Sequence, residues 1–203
     1  MSDIVCVTNR TLCGDDFLGR IDRIATARPG GIMLREKDLP EPEYRALAEQ
    51  VLEICRAHHV PCILHSFVAV AVGLKADAIH LPLPLLRELT EGEKARFAQL
   101  GASCHSVKEA QEAQQLGCTY LTAGHIFATD CKKGLPGRGL AFLETVCNSV
   151  SIPVYAIGGI SSGTIAAVRV AGAKGACVMS GLMQCADVEA YLKQFEKAGD
   201  PRS

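Results

Sequence analysis

The 203-residue chain carries 21 basic and 22 acidic side chains, a formal charge of −1, and no basic stripe interleaved with aromatics, so no nucleic-acid partner is expected. Its longest uncharged apolar run, FVAVAVGL at 67–74, is too short to span a bilayer, and the start moves into IVCVTN without the regions of a signal peptide. The expectation is a cytoplasmic protein with no membrane partner, a single domain over residues 1–203.

The first strand is IVCVTN, with Thr8 at its end, and Asp15 or Asp16 starts the helix that follows. GIMLREK is the second strand; its end presents Arg35, Glu36, Lys37 and Asp38. An arginine there grips a carboxylate or phosphate through two parallel hydrogen bonds, unless the four charges pair among themselves. The stretch EPEYRALAEQVLEICRAHH has apolar positions three and four apart, the period of a helix. It ends in Cys55, His58 and His59, with Cys62 just beyond Pro61. A zinc site would need four ligands converging on one point, and a helix end and a strand start split this set, so no metal is expected. The ten cysteines, scattered through apolar stretches such as VPCIL and GACVM, read as small buried hydrophobes in a reducing compartment.

Strand three is PCILHS with His65, strand four AIHLPL with His80, and strand five LGASCHS with His105. Ser106 then starts a helix, with Glu109 three residues on as a capping box. Glycines 101, 117 and 172 are expected where helices end and strands begin, each able to take the left-handed conformation. Strand six, YLTAGHIF, carries His125 and leads into the basic, glycine-rich loop ATDCKKGLPGRG. Strand seven, VYAIGG, ends on Gly158 and Gly159, and Ser161 or Ser162 starts the next helix. Strand eight is KGACVMSG, with Ser180 and Gly181 at its end.

Strand followed by helix, eight times over, is the grammar of a closed parallel (β/α)8 TIM barrel, an α/β fold. An open doubly wound sheet usually uses fewer strands for this length. In such barrels the active site forms at the C-terminal strand ends, and four of the six histidines fall on that list. Histidine suits proton transfer near neutral pH, so a proton-transfer reaction is favoured over one that needs a strong nucleophile. The glycine pair after strand seven and Ser180-Gly181 after strand eight sit where barrels commonly hold phosphate on backbone N–H groups. A small phosphate ester is the expected substrate.

LREKD at 34–38, HSVKEA at 105–110, GHIFATDCKKG at 124–134, PVYAIGGI at 153–160 and VMSG at 178–181 together resemble the thiamin phosphate synthase superfamily, over nearly the whole chain. That superfamily has a (β/α) barrel and joins a pyrimidine diphosphate to a thiazole phosphate. Two departures choose a branch. Where synthases have an Asn-Asp pair after strand three and a Gly-Gln-x-Asp stretch after strand four, this chain has His65-Ser66 and Pro82-Leu83-Pro84-Leu85. The aspartates hold the magnesium that accompanies the diphosphate, and a hard cation without carboxylates has no protein ligand. In the loop after strand six, Gly124, Ile126, Phe127, Thr129 and Lys132 match the synthase pattern, but His125 replaces a proline and Cys131 a threonine.

Gly-His followed by Phe-x-Thr-Asp-Cys-Lys-Lys-Gly-Leu-x-Gly-Arg-Gly resembles the TenI-type thiazole tautomerases, whose acid/base histidine matches His125. The resemblance implies an isomerase of thiamin biosynthesis that aromatises a carboxylated thiazole phosphate tautomer, with no metal or other cofactor. It implies that His125 shuttles the proton and that Gly158, Gly159, Ser180 and Gly181 hold the phosphate. Arg35 or Lys37 neutralises the carboxylate. Thr129 and Lys132 belong to the substrate-binding loop, and His65 and His105 hold polar substrate atoms or orient that loop. Residues 128–139 are expected to close over the ligand as a basic lid. A thiamin phosphate synthase and a non-catalytic thiazole phosphate-binding regulatory protein are the alternatives. A homo-oligomer is compatible with the balanced composition, which does not specify one.

Overall fold

A computed structural model describes residues 2–14, 16–129 and 134–198. Eight strands alternate with helices: β1 Ile4–Val7, β2 Gly31–Leu34, β3 Cys62–His65, β4 Ala78–Pro82, β5 Gln99–Cys104, β6 Tyr120–Gly124, β7 Val154–Ile157 and β8 Gly175–Val178. Each pairs in parallel with the next, and β8 pairs with β1, closing a (β/α)8 barrel. The helices are α1 Phe17–Thr26, α2 Glu41–Ala57, α3 Val68–Gly73, α4 Leu83–Glu88, α5 Glu91–Lys94, α6 Val107–Gln115, α7 Gly139–Ser149, α8 Ile165–Val170, α9 Ser180–Gln184 and α10 Val188–Lys197. None of the described helices is long and apolar enough to cross a membrane.

The strands are short and apolar on both faces because both are covered. Ile4, Cys6, Ile32, Leu34, Leu64, Ile79 and Leu81 pack outward into a continuous core with the helices. The alternate residues Val5, Val7, Met33, Ile63, Ala78 and Cys177 form a separate cluster inside the barrel. The period of two that divides these layers also decides which residues further along each strand reach the cavity at its end.

Local chemistry sets the element boundaries. Asp16 caps α1, its Oδ2 accepting from Gly19 N at 2.8 Å. Ser106 caps α6 by accepting from Glu109 N at 3.1 Å, but the capping box does not close: the Glu109 carboxylate turns back to the N–H of His105. A full box forms instead at Thr90 and Glu93, ahead of α5. Gly117 (φ 93°) and Gly172 (φ 92°) take the left-handed conformation after α6 and α8. Gly101 does not; it lies within β5, and a Cβ there would stand 2.1 Å from the Tyr120 ring, so the missing side chain seats an aromatic inside the barrel. The helix after β7 begins at Ile165 rather than at Ser161 or Ser162, because Ser161 and Thr164 close a hydrogen-bonded turn on each other first. β8 ends at Val178, so Ser180 and Gly181 already belong to α9.

α2 ends at Ala57, and its two histidines part company with the cysteines. His58 Nε2 lies 2.8 Å from Asp22, and His59 takes a positive φ of 57° past the helix end. Cys55, buried on α2, and Cys62, which opens β3, are free thiols. Tyr44, also on α2 and fully buried, fastens this helix to the sheet: its hydroxyl donates to Leu34 O at 2.8 Å and accepts from His65 N at 3.0 Å.

Candidate active site

A cavity of about 420 Å³ opens at the C-terminal ends of the strands. Arg35, Lys37, His65, His105, His125 and Thr129 line it, and so do Gly158, Gly159, Ser180 and Gly181. Lys132 lies outside the described residues, as do residues 130–133 of the expected lid. All the described residues expected to bind substrate or phosphate, and His125, thus line one cavity.

Two strand-end residues have other work. Thr8 is fully buried; its hydroxyl donates to Glu36 Oε1 at 2.7 Å and accepts from Arg35 N at 2.9 Å. His80 is 1% exposed and sits two residues before the end of β4, beneath the cavity. The four charges after β2 do not pair among themselves. Glu36, 2% exposed, accepts from Arg10 N at 3.1 Å, and the Arg10 guanidinium reaches Asp38 at 2.7 Å, holding that carboxyl below its usual range. Arg35 and Lys37 line the cavity, and no Asp or Glu is among its described lining residues.

His125 follows β6 at a backbone held from several sides. Its carbonyl accepts from Arg138 N at 3.0 Å, Ile126 N donates to Ile157 O at 2.9 Å, and Phe127 N donates to Gly158 O at 3.0 Å. His105 adds a fourth tie, its Nδ1 lying 2.9 Å from Gly124 O. The His125 ring lies with Nε2 3.4 Å from Leu135 O, and the Gly124–His125 peptide is cis. Gly158 makes room for this residue: with φ at 97°, a Cβ there would stand 2.4 Å from the Cβ of His125.

His65 and His80 are different in kind. Burial, then the neighbouring His80 and the cations of Lys37 and Arg35, push His65 down to about 2. Burial and the same two cations push His80 down to about 3. Both are neutral near pH 7 and act as hydrogen-bonding groups, His65 Nδ1 lying 2.7 Å from Ser66 Oγ.

Three hydroxyl-bearing lining residues escaped the motif reading. Ser103 and Thr122 stand two positions before His105 and Gly124, so the same period of two would have pointed them inward. Tyr191 comes from the face of α10, which gives no sign of it; its hydroxyl lies so close over Gly181 that a Cβ there would be 1.9 Å away.

A family model described as thiamine monophosphate synthase matches residues 4–182. The chain belongs to that family. The thiamine-phosphate synthase 2 of Streptococcus pneumoniae is 36% identical over 197 residues, covering 94% of this chain and 92% of the relative. The thiamine-phosphate synthase of Fusobacterium nucleatum is 32% identical over 202 residues, covering 95% and 96%. Among solved structures, a thiamine phosphate pyrophosphorylase from Pyrococcus furiosus superposes with a TM-score of 0.83 at 27% identity, over 97% of this chain and 95% of the other. An enzyme of thiamin biosynthesis is the shared reading, and these relatives are named as synthases, not as tautomerases.

The magnesium that the synthase branch uses does not fit the described donor set. At the ends of β3 and β4 stand His65-Ser66 and Pro82-Leu83. The described lining offers imidazole, hydroxyl and two cations, and no group of three or more metal-binding side chains occurs among the described residues. A hard divalent cation requires oxygen ligands, carboxylates above all, and nearby Arg35 and Lys37 would repel it.

Proposed function

We propose that this member of the thiamine monophosphate synthase family is a thiazole tautomerase, converting a carboxylated thiazole phosphate tautomer into its aromatic isomer. The observation that carries this reading is His125 at the mouth of a cationic cavity without a described carboxylate. The ring carbon bearing the carboxylate loses a proton, and the exocyclic carbon gains one. An imidazole placed between the two carbons takes the first proton as a base and delivers it as an acid, so atoms and charge balance without a co-reactant. Aromaticity supplies the driving force. Arg35 and Lys37 offset the ligand carboxylate, and Gly158 and Gly159 with Ser180 and Gly181 take the phosphate on backbone N–H groups. Thr129, in the cavity lining, and Lys132 are assigned to substrate binding as well.

The names of the relatives favour a second reading, a thiamine-phosphate synthase. Two incubations separate them. The thiazole tautomer alone, followed by NMR, should aromatise at an enzyme-dependent rate. Aromatic thiazole phosphate with the pyrimidine diphosphate and magnesium should give no enzyme-dependent coupling. Robust coupling with no isomerisation would establish the synthase, and ligand binding with neither reaction would point to a regulatory binding protein.

A further inference from the structure

Beneath the cavity, inside the barrel, four polar side chains form a directed chain. The buried Tyr120 hydroxyl has His80 Nδ1, at 3.1 Å, as its hydrogen-bond partner among the described residues. A buried phenol must place its one proton on an acceptor, because leaving it unmade costs the full desolvation of the group. Nδ1 therefore accepts, and the neutral His80 ring carries its own proton on Nε2. That N–H points to Ser103 Oγ at 2.9 Å, with Thr122 Oγ1 alongside at 3.3 Å. The Thr122 hydroxyl also donates to Ser103 Oγ at 3.3 Å. Ser103 thus receives one hydrogen bond from His80 below and one from Thr122 beside it, and its remaining polar group is its own O–H, in the cavity wall.

We propose that His80 is a positioning residue: held by Tyr120 in the Nε2–H tautomer, it fixes Ser103 as a hydrogen-bond donor to the carboxylate of the bound ligand. The opposite tautomer would strand the Tyr120 proton and draw the Ser103 proton down to Nε2, leaving a serine lone pair facing an anion. One buried proton therefore decides whether the floor attracts or repels a carboxylate. Burial is the main cause that keeps both His65 and His80 neutral, and Lys37 and Arg35, which line the same cavity, add to it. The carboxylate as ligand group rests on the tautomerase reading; the tautomer itself does not.

Long-range proton–nitrogen spectra of unliganded, 15N-histidine-labelled protein test the first half. His80 should show Nε2 in the protonated range and Nδ1 in the acceptor range, with Tyr120→Phe shifting the ring towards a tautomer mixture; a protonated Nδ1 in the wild type overturns the proposal. Calorimetry with the aromatic thiazole phosphate carboxylate and with its decarboxylated analogue tests the second. Ser103→Ala should weaken the carboxylated ligand about tenfold, the scale of one hydrogen bond to a charged group, while changing the analogue by less than about twofold. Tyr120→Phe should act in the same direction with a smaller loss. His80→Gln, which keeps an amide donor, should retain more of the discrimination than His80→Leu. Equal weakening of both ligands, or no weakening by Ser103→Ala, overturns the positioning role. Failure of the wild type to bind either thiazole defeats the tautomerase reading and the ligand half together, whereas the nitrogen spectrum still decides the tautomer.

Discussion

Gly158 and His125 occupy ground that neither can share with a larger neighbour. Alanine at Gly158 combines a φ of 97° with a Cβ 2.4 Å from that of His125, so the β6 and β7 ends must separate. Gly158→Ala should lower stability by about 1–3 kcal/mol, read by urea unfolding, and should reduce isomerisation more than its fraction unfolded explains. Tyr191→Phe, by contrast, removes only the hydroxyl over Gly181 and should leave the fold intact; if that hydroxyl meets the ligand phosphate, affinity for inorganic phosphate should fall about fivefold, measured by calorimetry. At this scale the histidines and glycines were legible because their chemistry or conformational freedom is unusual at a strand end. Ser103, Thr122 and Tyr191 were not singled out, since a small hydroxyl or a helical tyrosine looks the same in sequence whether it faces a cavity or a neighbour.

At the scale of elements, the eight strands and the longer helices follow from apolar period and punctuation, and the barrel order follows from their alternation. The misplacements occur where a local hydrogen bond competes with the pattern. Ser161 and Thr164 satisfy each other and delay α8, and Glu109 serves His105 rather than completing a box on Ser106. Gly101 carries no helix-end conformation because its role is spatial, to admit Tyr120. Tyr44 joins three elements through one hydroxyl, and its loss would leave Leu34 O and His65 N unpaired in the interior. Tyr44→Phe should therefore cost about 1–3 kcal/mol of unfolding free energy with little change in the denaturant slope. A loss below a few tenths would show that those groups find other partners.

The whole molecule carries a pH signature from the two histidines buried neutral in the barrel. Their folded values of about 2 and about 3 lie below the ordinary 6.5, so the unfolded chain takes up protons that the folded one refuses. Stability contributed by the neutral rings is fully present above about pH 6.5 and is lost as pH falls below it. With two such groups, the unfolding free energy should drop by up to about 2.7 kcal/mol per pH unit between pH 6 and 4. A slope of half that size would mean that one ring takes up its proton in the folded state, and stability unchanged from pH 7 to 4.5 would mean that both do. Family membership was legible at this scale because the motifs recur in order along the chain. The choice of reaction rests on few positions, His125 and the missing strand-end carboxylates, and whole-chain similarity to synthases averages over them.

The central claim is that His125 moves the proton. Isomerisation of the carboxylated thiazole phosphate tautomer in deuterated water, followed by NMR with wild-type protein and with His125→Gln, tests it most directly. The wild type should aromatise the ring with deuterium entering the exocyclic carbon, and His125→Gln should be slower by about 10²- to 10⁴-fold while still binding the product. A His125→Gln protein that isomerises at the wild-type rate, or a wild type no faster than buffer, would contradict the account.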